Sequence, residues 1–173
     1  AIYDHENGVS FSARALGELK MICEAVTDIL NTTVQATETG DLNLALQVEP
    51  LEEVIDELQA GLKDKHIERL MNNECNIQSG ISFVELLNNL ERISDHCSNI
   101  ALNKIQTAQK GGLDTHEYQY QMHHHGGETY QNAYDLYAAK YSMDSIVYPE
   151  ETPVPGPAET EPVIEDPSGV SDK

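Results

Sequence analysis

Two short patterns carry the chemistry of this sequence: Glu52-Glu53-Val54-Ile55-Asp56 and Glu91-Arg92-Ile93-Ser94-Asp95, each a Glu and an Asp four positions apart. On a helix, that spacing stacks two carboxylates one turn apart on one flank, with about 5 to 6 Å between Cβ atoms. Carboxylates are hard oxygen donors suited to multivalent cations. One such pair is ordinarily a solvated acidic face, because Asp and Glu are mostly exposed. Two pairs on consecutive antiparallel helices are a different matter, since four converging carboxylates repel unless a cation or an arginine neutralises them. Arg92 is the cation nearest in sequence, and it keeps a metal-free reading open. His96 adjoins Asp95 but lies about 100° round the helix, which suits a boundary histidine at least as well as a ligand. His123-His124-His125 beside Gly126-Gly127 reads as a surface tract, since three consecutive residues on a helix cannot face one ion.

Other chemistries lack their residues. There is no Gly-x-x-x-x-Gly-Lys-Ser/Thr loop, no Gly-x-Ser-x-Gly elbow and no His-Glu-x-x-His. Di-iron carboxylate bundles use Glu-x-x-His, whereas here Glu91 is followed three positions on by Ser94 and Glu52 by Ile55. Three cysteines, Cys23, Cys75 and Cys97, make no C-x-x-C pair, which argues against a disulfide framework or a thiolate zinc site and fits a reducing compartment. A formal charge of −20 over 173 residues leaves no polyanion-binding surface, so nucleic acid is not the expected partner. No apolar run reaches the roughly 18 to 20 residues that span a bilayer. The opening AIYDHENGVS is neither a signal peptide nor a methionine start, so the expectation is a soluble piece of a longer protein.

The elements that must position the carboxylates follow from hydrophobic spacing. Leu16, Leu19, Ile22, Val26, Ile29 and Thr33 recur at three- and four-residue steps and predict an amphipathic helix from Ser12 to about Thr37, closed by Gly40, with Asp41 able to cap the next. Leu44, Val48, Leu51, Ile55, Leu58 and Leu62 form a heptad seam that a bundle partner must cover. Pro50 inside that run predicts either a kink near Val48 or a helix beginning at Glu49, ending near Asn72 to Glu74. After the link NNECNIQSG, a third helix places Phe83, Leu86, Leu90, Ile93, Cys97 and Ile100 on one stripe and stops at Gly111-Gly112. The expected fold is all-α: an antiparallel up-down-up three-helix bundle over residues 12–112, after a lead-in of residues 1–11. A Tyr-rich accessory helix interrupted at Gly126-Gly127 occupies residues 113–143. An acidic Pro-rich tail, residues 144–173, completes the chain; six of the seven prolines fall in it, and from Pro149 onward it reads as disordered.

With these residues in place, the chain resembles the PhoU family. The resemblance covers roughly Ser12 to Ala108, through ALGELKMICEAV, the Gly-Asp break in TGDLNLA, EPLEEVIDELQAGLKDKHIERL and LLNNLERISDHCSNIA. PhoU-like domains carry a Glu/Asp-x-x-x-Asp motif on the second and third helices, the latter similar to Glu-Arg-Ile-x-Asp-His-x-x-Asn-Ile. The resemblance implies a surface multinuclear cluster of divalent or trivalent metal, iron or zinc, held by Glu52, Asp56, Glu91 and Asp95 with Asn99 as an additional candidate. It also implies a regulatory role in phosphate signalling rather than catalysis. Stand-alone PhoU proteins are similar to two such bundles in tandem. One bundle followed by THEYQYQM and YQNAYDLYAAKY is similar instead to the cytoplasmic C-terminal domain of bacterial sodium/phosphate cotransporters. That resemblance implies tethering at the inner face of the membrane, with the transporter's transmembrane part, a phosphate-signalling protein or a second copy as partner. The rival expectation is a free-standing adaptor for an ABC phosphate transporter and a histidine kinase, and a carboxylate metalloenzyme stands third.

Overall fold

The computed structural model describes residues 10–108 and 127–148. Helix α1, Ala13–Thr39, starts where the Ser12 hydroxyl accepts the Ala15 N–H at 3.2 Å. It stops at Gly40, whose φ of 72° suits a residue without Cβ and whose N–H donates to the Ala36 carbonyl. Asp41 accepts the Asn43 N–H and caps a single turn, α2, Leu42–Ala45. The chain breaks at Leu46–Gln47 and α3 runs Val48–Met71. Pro50 therefore sits in the first turn, where its missing N–H leaves no helical bond unmade. Of the two outcomes expected at Pro50, the chain adopts the fresh start, one residue ahead of Glu49. Helix α4, Ile77–Ala108, begins four residues earlier than the link NNECNIQSG suggests, because the Asn76 side chain accepts the Ser79 N–H at 2.8 Å.

These three long helices form the up-down-up bundle. Antiparallel α3 and α4 are registered by Gln59 donating to Asn88 at 3.3 Å and Ser98 donating to Glu49 at 2.5 Å. Helices α1 and α4 run side by side in the same direction, tied at one end by the Ser10 N–H on Ser79 Oγ and at the other by Lys104 Nζ on the Thr37 carbonyl. Ile22, Ile29, Leu51, Ile55, Leu62, Phe83 and Leu87 are fully buried between them. The stripe expected on the third helix is displaced. Ile93 and Ile100 lie outward, at 37% and 48% exposure, while Ser94, Ser98 and Ala101 face inward. These small residues let α4 approach two neighbours at once, and branched residues there would hold it off.

Helix α5, Gly127–Lys140, begins at the Gly-Gly pair and packs on α3. Its phenols reach carboxylates: Tyr130 donates to Glu53 at 2.6 Å and Tyr134 to Glu57 at 2.7 Å. Lys140 and the Tyr141 hydroxyl, just beyond it, both close on Asp28 of α1. The upstream part of the expected accessory helix, with His123–His125, lies outside the described residues, as does everything from Pro149.

Residues 144–148, assigned to the tail from their composition, instead pack on the bundle. A 3₁₀ turn at Met143–Ser145 leads to Ile146, which is buried, and on to Val147 and Tyr148 over Gly17. Ile146 supplies an apolar anchor that composition averaged away. A Cβ at Gly17 would stand 2.9 Å from the Val147 carbonyl oxygen, a backbone atom with little freedom. Gly17→Ala is therefore expected to release this strap and lower stability by about 1 to 3 kcal/mol, the usual effect of overpacking. Hydrogen exchange should show faster exchange at residues 145–148 with the α1, α3 and α4 cores retained.

Candidate metal centre

The α3–α4 register places Glu52 and Asp56 against Asp95 and Glu91. One carboxylate oxygen each from Glu52, Asp56 and Asp95 lie within 4.8 Å of one another. Glu52 and Asp95 are partly buried and Asp56 faces solvent, so the group lies in the outer groove between the two helices, beside the apolar seam. Glu91, also partly buried, joins through its field, the largest charge acting on Asp56.

Electrostatics record the crowding. Burial pushes the Glu52 carboxyl up to about 9, aided by the charges of Asp56, Glu49 and Asp95 and by a hydrogen bond to Asp95. Asp56, open to solvent on its outer side, is pushed up to about 6 by the desolvation of its groove side and then by Glu91 and Asp95. Without a cation, the group therefore holds a proton at neutral pH. Arg92 is exposed and makes no ion pair with the four carboxylates among the described residues, and His96 is exposed too. Asn99 turns its amide back along its own helix to the Asp95 carbonyl at 2.9 Å.

Glu49, which the paired pattern leaves out, is a further member of this carboxylate neighbourhood. It is 4% exposed, accepts the Ser98 hydroxyl and raises the proton affinity of both Glu52 and Asp56. Its signal was its place three residues before Glu52 on the same flank, at i, i+3 and i+7 with Asp56. Neighbouring Glu53, also on α3, turns to α5 instead: burial, and then donation to the Glu53 carboxylate, push the Tyr130 phenol well above its ordinary value.

The donor set fits a multivalent cation. It offers hard oxygens from two helices, and the proton on Glu52 takes the place a bound ion's charge would fill. Glu52, Asp56 and Asp95 would hold it, with Glu91 beside them.

Fold and site together define an all-α bundle with a carboxylate cluster bridging its second and third long helices. In comparison with known families, residues 19–103 match the model of the PhoU domain. The match takes in α2, α3 and most of α1 and α4, and so all four paired carboxylates and Glu49. No curated protein and no solved structure matches the chain. Among the described residues, no helix is long and apolar enough to cross a membrane.

Proposed function

We propose that this is a PhoU-like, metal-binding regulatory domain of a sodium-dependent phosphate cotransporter, carried at the inner face of the membrane. The match to the PhoU domain supports a role in phosphate homeostasis, regulatory rather than catalytic. The convergence of Glu52, Asp56 and Asp95 carries the metal-binding part. The Tyr-rich stretch that follows the bundle, THEYQYQM and YQNAYDLYAAKY, supports the cotransporter over the free adaptor. A bound cation, iron or zinc, neutralises the carboxylates and fixes α3 against α4. The groove surface then offers either a neutral or an acidic face to the transporter or a signalling partner, and transport is biased accordingly.

Elemental analysis after loading with iron, zinc and manganese tests the site, comparing the parent with Glu91→Ala/Asp95→Ala. Near-stoichiometric metal in the parent, lost from a variant that stays helical, is the expected result. Metal absent from both leaves a solvated acidic face and removes the chemical basis of the proposal. Radiolabelled phosphate uptake by cells carrying the full-length gene tests the setting. Uptake should require sodium, and in the double variant it should lose its response to external phosphate.

A further inference from the structure

We propose that the α3–α4 hairpin end is a docking groove for a basic amphipathic helix of a partner protein. Four large aliphatic side chains stand in water there: Ile67 at 52% exposure, Met71 at 79%, Ile77 at 75% and Ile81 at 50%. Ile67 and Met71 are one turn apart on α3, and Ile77 and Ile81 one turn apart on α4. The pairing that brings Gln59 to Asn88 and His66 against Gly80 sets Ile67 beside Ile81 and Met71 beside Ile77. The result is one contiguous apolar patch across two helices, the kind of surface that marks interaction sites on soluble domains. Two antiparallel ridges make a groove that fits a third helix with apolar residues at i, i+3, i+4 and i+7.

Charge selects the occupant. Exposed Asp64 and Glu85 lie around the patch with partly exposed Lys63, while Glu74 is paired with Arg14 of α1 at 3.9 Å, and the groove continues about 16 Å along α3 to the carboxylate cluster. A second copy would bring the same acidic rim and another formal −20. Residues 1–9 carry Asp4 and Glu6 with no Lys or Arg. The stretch from Pro149 has seven acids and one Lys. Residues 109–126 carry one Lys against Asp114 and Glu117, and α4 ends at Ala108, about 40 Å from Ile81. None of these stretches carries a net positive charge, whereas Lys or Arg flanking an apolar helix face complements the rim.

The probe is a fluorescently labelled 18-residue helix with Leu at i, i+3, i+4 and i+7 and Lys on its other face. A peptide of equal composition with Leu scattered around the helix serves as control. Anisotropy at about 0.15 M salt, where long-range attraction is screened, should show the amphipathic peptide binding the whole chain. Binding should weaken tenfold or more in Met71→Ser/Ile77→Ser and at least as much in Ile81→Lys. These side chains are exposed, so circular dichroism should be unchanged. Equal binding of both peptides, or no loss in either variant, overturns the proposal. A dimer seen by sedimentation and abolished by the same variants also overturns it, assigning the patch to a second copy.

Discussion

Glu18→Ala should lower the unfolding free energy by about 3 to 5 kcal/mol, as much as truncating a large core side chain. Glu18 is fully buried on α1, and the Arg69 guanidinium of α3, 6% exposed, meets it with two parallel bonds of 2.6 and 2.7 Å. The same guanidinium lies 5.5 Å from the Phe83 ring centre. Removing the carboxylate leaves a buried guanidinium without its bidentate partner, and desolvation makes that expensive. Arg69→Ala strands the opposite charge and should cost a similar amount. Glu18→Leu/Arg69→Met is the informative contrast: with both charges gone and volume kept, stability should return to within about 1 kcal/mol of the parent or exceed it. Urea titrations of the four proteins read this directly. Single variants within about 1 kcal/mol of the parent would mean that water reaches the pair and the burial argument fails.

The second large effect is a pH dependence that reverses when metal binds. Glu52 moves from its ordinary 4.5 to about 9 on folding, and Asp56 from 3.8 to about 6. The folded chain thus binds protons that the unfolded chain has released, so stability falls as pH rises through the window from about 4 to 9. A tenfold change in proton affinity corresponds to about 1.4 kcal/mol in the absence of solvent screening, and screening brings the expected loss between pH 5 and 8 to about 1 to 3 kcal/mol. General repulsion in so acidic a chain acts in the same direction, and Glu52→Gln/Asp56→Asn separates the two. In chelator the variant should melt higher than the parent at pH 8 and equally at pH 5. With a saturating cation the order reverses at pH 8, because only the parent's deprotonated carboxylates gain from the ion. A parent curve parallel to the variant's in chelator would show that the carboxylates are not held close enough to share a proton.

The bundle was legible because its signals are local and repeated. Ser12, Gly40 and Asp41 punctuate the chain, and the seam from Leu51 to Leu62 demands a cover whatever the neighbours are. The carboxylate pairs were legible because spacing on one helix fixes a flank, and two short links fix which helices meet. What spacing could not supply was depth. Glu18 lies among Ala15, Leu19 and Ile22, and Arg69 falls seven residues beyond Leu62. Charge alone marks both as surface residues, while position in the apolar stripe marks them as buried partners. Ile93 and Ile100 fail in the opposite sense. Hydrophobicity put them in the core, but a helix with two neighbours turns its smallest residues inward, and Ser94, Ser98 and Ala101 took that side. Asn99 donates its amide N–H to the Asp95 carbonyl of its own helix, which leaves its Oδ1 as the atom it could offer an ion.

The ring of phenols on α5 has an optical consequence. The chain contains eight tyrosines and no tryptophan, so its ultraviolet emission is tyrosine emission unobscured by energy transfer to indole. A phenol donating to a carboxylate is a poor emitter, because the excited hydroxyl becomes more acidic and passes charge to its acceptor. Tyr130, Tyr134 and Tyr141 are all held this way, on Glu53, Glu57 and Asp28. These three phenols are dimmed while α5 is docked, Tyr137 alone on that helix donating to a neutral amide, that of Gln47, and lifting α5 from the bundle would brighten the chain, a built-in reporter that needs no label.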